Sequence, residues 1–155
     1  MQQKDGKILA EIREVLNKLG LKYEFDEEKR AFLVEIPLED FMGLNLYTKA
    51  LIGVDEGWIV GYIPVFFKTK ELGSKLREKL YETLLRVNSN ISEVAFGLTK
   101  EGYVAVNFEI KNEVMDERVL LSEFMGMVFA IIYFIKEIFP HIPKMVEAIK
   151  PFYIS

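Results

Sequence analysis

The sequence predicts an α+β fold, in which an antiparallel sheet of about five strands packs with three helices. In three segments of the 155-residue chain, apolar residues recur at three- and four-residue steps, which is the helical period. In several shorter segments they alternate with polar residues, which is the period of a strand. Most strand segments are separated only by short turns, and short turns join antiparallel neighbours. The predicted element order is α-β-β-β-α-β-β-α, followed by a short tail.

The first helix is predicted over about 15 residues near the amino terminus. Asp5 is placed to cap its start, and Gly20 is expected to end it in a left-handed conformation. A two-residue period then begins at Tyr23, and it is consistent with a short additional strand over 23–26. The apolar stripe of this helix consists of Ile8, Leu9, Ile12, Val15, Leu16 and Leu19.

Three further strands are predicted before the second helix. One covers 32–37 and is ended by its proline, and a second alternating run covers 44–52. Asp55-Glu56-Gly57 has the composition of a hairpin turn. The third strand, 58–67, is apolar on both faces, which is typical of a central strand. Pro64 lies within it and is expected to weaken its pairing, because proline has no N–H to donate.

The second helix is predicted from a stripe of leucines at 72, 76, 80 and 84, and it ends at the turn-forming residues 88–90. A hairpin follows, with strands over 94–98 and 104–110 and with Gly102 in its loop. Asp116 is expected to cap the third helix, which carries the apolar run 124–135 and ends near Pro140.

The composition limits the classes of protein to which this chain can belong. No cysteine occurs, which excludes disulfides and thiol catalysis and fits a cytoplasmic location. The amino terminus lacks the continuous apolar region of a signal peptide, and the net charge of −4 disfavours nucleic acid as a partner. One domain over 1–155 is expected, with a core over 5–139 and a tail over 140–155. Only two glutamines accompany abundant Glu and Lys, a bias found in thermophiles.

The titratable residues do not form a recognisable catalytic or metal-binding motif. Glu24 and Asp26 share one strand face, where charge is expected to keep an edge soluble. His141 is the only histidine, and the serines lack the Gly-x-Ser-x-Gly context of a hydrolase. Gly73-Ser74-Lys75 lacks the upstream glycine of a phosphate-binding loop. The sequence therefore predicts no catalytic residue, no metal site and no cofactor.

An aromatic cluster lies on the predicted central strand, and core packing is the favoured interpretation, with an interface as the alternative. No lysine or arginine is interleaved with it, which disfavours single-stranded nucleic acid. The cluster consists of Trp58, Tyr62, Phe66 and Phe67.

The apolar run 124–135 is the most hydrophobic segment of the chain. Its 12 residues would span about 18 Å as a helix, against a bilayer core of about 30 Å, so a membrane span is not expected. A helix that is apolar all round must be buried on more than one side. One face is expected to pack on the sheet. The other face must be buried either by another segment of the same chain or by a partner.

The segment from Leu84 to Ile110 resembles a known family. Leu84-Leu85-Arg86-Val87-Asn88 lies at a helix end, and Ala95-Phe96-Gly97-Leu98 and the Gly102 hairpin follow. With the element order, these features resemble the type III secretion chaperone-like superfamily, in particular its YbjN-type branch of sensory transduction regulators. The resemblance implies a small, non-enzymatic, usually dimeric protein that holds a partner polypeptide on apolar patches. The tail after Pro140 is longer than the element order of this family requires.

The predicted function is therefore that of a non-catalytic, chaperone-like or regulatory binding module in the cytoplasm. It would hold a protein or peptide through apolar and sheet-edge contacts, as a homodimer, without a role for nucleic acid or membrane. The residues expected to contact the partner or the second copy are Leu76, Leu80, Tyr81, Leu84, Phe129 and Tyr133.

The alternative is a protein that binds a small apolar ligand between the last helix and the sheet. An elongated cavity lined by Phe108, Phe129 and Ile132 would favour it.

Overall fold

The computed structural model describes residues 2–38, 47–92 and 94–141, with backbone only for 2–4 and 65–67. Three helices and six strands follow in the order α1 (Gln2–Lys18), β1 (Lys22–Asp26), β2 (Ala31–Pro37), β3 (Tyr47–Asp55), β4 (Trp58–Lys68), α2 (Ser74–Asn88), β5 (Ala95–Leu98), β6 (Tyr103–Lys111) and α3 (Glu117–Tyr133). A π-helical turn (Phe134–Ile138) and a 3-10 turn (Phe139–His141) continue α3, and another 3-10 turn (Thr69–Glu71) precedes α2.

The strands form one antiparallel sheet in the order β1-β2-β3-β4-β6-β5. This confirms the predicted α+β class. The sheet has six strands because the short segment at 22–26 does pair with β2. The strand predicted over 44–52 is observed from Tyr47, and residues 44–46 lie outside the described part of the chain. β4 is central, as its two apolar faces indicated.

Local sequence signals place the turns correctly. The hairpin between β3 and β4 pairs Asp55 with Trp58, and its two central residues, Glu56 and Gly57, have φ angles of 40° and 89°. Both angles are positive, as the favoured two-residue hairpin turn requires. Gly20 follows α1 with a φ of 65°, which is the expected left-handed helix end.

The effect predicted for Pro64 is also observed. β4 pairs with β6 in regular register from Trp58 to Pro64, and the register then shifts between Pro64 and Lys68. Proline cannot donate to a ladder. Because Ala105, opposite Pro64, bonds to β5, the missing N–H of Pro64 lies on the β3 side, where pairing extends only from Asp55–Trp58 to Leu51–Tyr62.

The start of α1 corrects the sequence interpretation. The helix begins at Gln2, so Asp5 is not its N-cap but lies within its first turn. The carboxylate of Asp5 instead lies 3.2 Å from the guanidinium of Arg30, and 12% of the Asp5 side chain is exposed. The signal was ambiguous because an acidic residue is favourable both at the cap and in the first turn of a helix.

The core lies on the face of the sheet that the helices cover. α1 and α3 contact each other and the sheet, and α2 packs beside β5. β2, β3, β4 and β6 contribute alternate residues to this face, and Phe32, Ile52, Ile59 and Phe108 among them are at most 2% exposed. From α3 and its continuation, Met127, Ile131, Phe134 and Phe139 are equally buried.

Asp116 is the N-cap of α3, as predicted. Its Oδ1 accepts hydrogen bonds from the backbone N–H groups of Arg118 at 2.7 Å and Val119 at 2.9 Å. Asp116→Ala is expected to lower the free energy of unfolding by about 1 kcal/mol, because two helix N–H groups lose their acceptor. Urea denaturation monitored by circular dichroism measures this change. Asp116→Asn keeps the acceptor and serves as the control, and an equal loss in both variants would contradict the role of the cap.

Candidate partner-binding surface

The third helix has two apolar faces, and only one of them is used by the core. Leu120, Phe124, Met127 and Ile131 turn inwards and are at most 3% exposed. They repeat at three- and four-residue steps, so they form one stripe against the sheet. The neighbouring stripe is also apolar, and that stripe is the main candidate for a binding surface.

We define the α3 outer stripe as the apolar residues on the solvent side of this helix. Phe129 is 62% exposed and Met125 is 51% exposed. The rings of Phe129 and Tyr133 lie 6.5 Å apart between centroids. Exposed apolar residues that are contiguous, rather than scattered, are typical of interaction sites. The stripe consists of Leu121, Met125, Val128, Phe129, Ile132 and Tyr133, all partly or largely exposed, although Val128 and Tyr133 also pack in part against the core.

The residues predicted for partner contact on α2 are divided by the fold. Leu80 and Leu84 are 1% and 6% exposed, so they belong to the core of this chain. Leu76 and Tyr81 are partly exposed, and the Tyr81 hydroxyl lies 2.7 Å from that of Thr69. Leu76, Leu80 and Leu84 lie on α2 as predicted, whereas Leu72 precedes the helix. Periodicity alone does not show which side of the leucine stripe the sheet covers. The contact role of all six predicted residues stays a prediction.

Leu85 marks a second apolar surface that sequence reasoning had not assigned to a site. Its side chain is 70% exposed, and Leu98, on β5, is 54% exposed. Both line a groove of about 260 Å³ between the carboxyl-terminal half of α2 and the edge of the sheet. We call this the α2–β5 groove; its walls are Tyr81, Leu84, Leu85, Asn88, Phe96, Gly97, Leu98 and Val104.

Of the aromatic cluster on β4, the two residues with described side chains, Trp58 and Tyr62, do not lie on the core face that the favoured interpretation predicted. Trp58 and Tyr62 lie on the face of the sheet opposite the helices, where Trp58 is 38% exposed. The ammonium group of Lys111 lies 5.5 Å from the Trp58 ring centroid, a cation–π distance. Phe66 and Phe67 have side chains outside the described part of the structure. The observed placement leaves Trp58 on a partly open surface.

The geometry does not favour the alternative of an apolar ligand pocket. Phe108 is 2% exposed inside the core, whereas Phe129 lies on the outer side of α3. These two side chains therefore do not line a common cavity with Ile132. A larger concavity of about 820 Å³ lies where the β1–β2 and β3–β4 turns meet, but charged residues including Asp5, Glu28, Arg30 and Glu113 line it.

Two of the shifted pKa values belong to residues in exposed ion pairs. A backbone hydrogen bond from Lys29, supported by its ammonium at 3.1 Å, lowers the pKa of Asp26. The side chain of Glu117, 2.7 Å from Lys18, raises the pKa of that lysine. In the described residues, no group of three His, Asp or Glu side chains could hold a metal ion. His141 is exposed at the end of the last 3-10 turn.

The helical stretch from Glu117 to His141 covers 25 residues, and an 18-residue window within it has a mean hydropathy of 1.9. By length and composition it could cross a membrane, so the shortness of the 12-residue apolar run does not by itself exclude a span. Its inner face, however, packs on β4 and β6. A buried core helix of a soluble domain meets the same criteria of length and composition.

The order of helices and strands, with all helices on one face of a six-stranded antiparallel sheet, defines the class of fold. It is a type III secretion chaperone-like fold, and YbjN has a similar fold. Neither a protein-family model nor a curated protein sequence matches this chain. The likeness is therefore one of fold.

Three solved structures illustrate it. The HopA1–SchA chaperone–effector complex contains a chain with 14% identity and a TM-score of 0.55, covering 88% of this chain and 98% of its own. The ExoU–SpcU complex of the Pseudomonas aeruginosa type III secretion system gives 15% identity and a TM-score of 0.52, with 79% and 95% covered. YbjN from E. coli gives 11% identity and a TM-score of 0.54, with 81% and 89% covered.

Proposed function

We propose that this chain is a non-catalytic, chaperone-like module that holds a partner polypeptide on its apolar surface and acts as a homodimer in the cytoplasm. The observation that carries the proposal is the α3 outer stripe, where Phe129 is 62% exposed although an apolar residue of its size is normally buried. The HopA1–SchA structure, which has a similar fold, is a chaperone–effector complex, and this supports the same use of the fold. The absence of cysteine is consistent with a reducing compartment.

The stripe is suited to a polypeptide partner for a physical reason. Met and aromatic side chains are enriched at protein interfaces, where methionine adapts its shape and an aromatic ring buries a large area at low entropic cost. Phe129 and Tyr133 supply the rings, and Met125 lies one helical turn before Phe129. Arg118 and Lys136 are exposed near the two ends of the stripe and can form its polar rim.

Phe129→Glu is expected to weaken binding of the partner by about 100-fold, because a buried aromatic anchor of an interface is replaced by a charge. The measurement is affinity capture of one stoichiometric polypeptide from native lysate, followed by titration of that identified partner. Val114→Glu is the matched control, since Val114 is 64% exposed but lies in the turn after β6, outside the stripe. Equal binding by wild type and Phe129→Glu would refute the role of the stripe.

The oligomeric state is tested separately by light scattering during size-exclusion chromatography. A mass of twice the 18.0 kDa chain at micromolar concentration is expected. A strict monomer that still binds the polypeptide would overturn the homodimer and leave partner binding in place. A co-purified lipid or metabolite without any bound polypeptide would overturn the chaperone-like function itself.

A further inference from the structure

The free edge of β5 lies next to the α2–β5 groove. β5 is the last strand of the sheet and pairs only with β6 among the described strands. The outward N–H and C=O groups of an edge strand can pair with any other extended chain, which leads to aggregation or strand addition. Soluble proteins therefore protect such edges, and this chain protects β5 in a specific way.

The carboxamide of Asn88 pairs with the backbone of Phe96. Its Nδ2 donates to the Phe96 carbonyl oxygen at 2.9 Å, and its Oδ1 accepts from the Phe96 N–H at 2.8 Å. Because both groups of Phe96 bond to Asn88, both point away from β6. The two bonds reproduce the pair that one residue of an added antiparallel strand would make. Asn88 is the last residue of α2, so the end of that helix holds the carboxamide against the strand.

Only one other residue of β5, Leu98, directs its backbone N–H and C=O groups away from β6. In an antiparallel pair, alternate residues direct their N–H and C=O groups to the partner strand, so Ala95 and Gly97 bond to β6 and Leu98 points away. The bond from the Thr99 N–H to the Tyr103 carbonyl oxygen, 2.8 Å, continues this alternation. Before the strand, the Val94 N–H donates to the Ser92 carbonyl oxygen at 2.8 Å. Unless it displaced Asn88, an added strand could therefore pair only with the backbone N–H and C=O groups of Leu98 among the residues of β5.

We propose that the Asn88 carboxamide is an edge cap, which prevents extended polypeptides, including a second copy of this chain, from adding to β5 by backbone pairing. The edge cap gives a structural reason for the sequence pattern in which a helix ends at Asn88 and a strand follows at residues 95–98. It also limits how any partner uses this end of the molecule. A partner at this end would contact the side chains of the α2–β5 groove, because the backbone groups of β5 are not available for strand pairing. The edge cap does not depend on the function proposed for the α3 outer stripe.

Asn88→Ala tests the edge cap with two measurements on the full chain. Hydrogen exchange of the Phe96 amide is expected to accelerate by about 10-fold or more, because that N–H loses its acceptor. Light scattering is expected to show species larger than the wild type, whose fraction grows with protein concentration. Asn90→Ala is the matched control. The Asn90 side chain bonds to the Arg86 carbonyl oxygen at 3.1 Å at the same helix end, and no hydrogen bond joins it to β5 in the described structure.

A second substitution separates an open edge from a damaged fold. In Asn88→Ala/Leu98→Lys, a charge placed beside the open edge disfavours strand addition. The size of the double variant is expected to return to that of wild type, while the Phe96 amide still exchanges fast. If Asn88→Ala does not fold, Asn88→Ser replaces it, because serine is uncharged and too short to make both bonds to Phe96, and the same return with Leu98→Lys is expected. Unchanged size in the single variant, or growth that Leu98→Lys does not reverse, would overturn the proposal.

Discussion

Gly61→Ala is expected to lower the free energy of unfolding by about 3 kcal/mol, the upper end of the usual cost of overpacking. Gly61 lies on β4 directly opposite Phe108 on β6, on the face that the helices cover. A Cβ atom at this position would overlap the aromatic ring of Phe108. The ring is 2% exposed inside the core, so it cannot swing into solvent to make room. Urea denaturation of the purified variant measures the loss.

Two further variants make this expectation specific. Phe108→Leu in the Gly61→Ala background is expected to recover part of the loss, because a smaller side chain leaves room for the new methyl group. Gly6→Ala is the control of opposite sign: Gly6 lies in α1, and an added Cβ would meet nothing within 4 Å. It is expected to gain about 0.5–1 kcal/mol, since alanine is the better helix former. A loss below about 0.5 kcal/mol for Gly61→Ala would contradict close packing against Phe108.

The Gly61–Phe108 pair also shows where prediction from sequence ends. Periodicity placed a strand at each of these residues, and both strands are observed. The pairing of β4 with β6 joins segments that α2 and β5 separate in the chain, and no local signal specifies the register between them. Within predicted neighbours, such as the β3–β4 hairpin, a two-residue turn fixes the register, so the sequence was informative there.

The same distinction applies to burial. Caps and turns depend on neighbouring residues, and Gly20, Gly57 and Asp116 were correctly interpreted. Which face of an element is covered depends on the whole fold. Leu80, offered for partner contact, is 1% exposed, and Trp58, assigned to the core, is 38% exposed. An apolar stripe predicts that a helix or strand face will be buried. It does not show whether the same chain or another chain buries it.

The candidate surface was predicted in part for this reason. Phe129 and Tyr133 were selected from the excess of apolar residues on the last helix, and Phe129 is in fact largely exposed. Met125 was missed although it precedes Phe129 by four residues and therefore shares its helix face. The edge cap was not predicted: Asn88 was noted in the sequence only as a helix-ending residue and as part of the motif that resembles the chaperone-like superfamily. Its hydrogen bonds join residues eight positions apart across a turn, which composition does not reveal.

Phe134→Ala is expected to destabilise the chain by about 3–5 kcal/mol, the usual cost of removing a buried phenylalanine ring. Phe134 begins the π-helical turn after α3 and is fully buried. Its ring centroid lies 5.9 Å from that of Phe96 on β5 and 6.5 Å from that of Phe139. One side chain thus connects the edge strand, the end of α3 and the last 3-10 turn. Chemical denaturation of the soluble protein measures the loss, and Phe134→Leu, which keeps most of the volume, is the milder control.

This variant also decides between two uses of the apolar helix. If Glu117–His141 packs on the sheet, the Phe134 ring is part of the core, and its loss must lower the stability of the domain in water. If the helix instead crossed a bilayer, the remaining domain would already fold without that ring, and the denaturation midpoint in detergent-free buffer would not change. Phe129→Ala is the matched comparison on the same helix. Its ring is 62% exposed, so its loss is expected to leave stability within about 0.5 kcal/mol of wild type. A large loss for Phe134→Ala with none for Phe129→Ala is the pattern that a half-buried helix with one free apolar face requires.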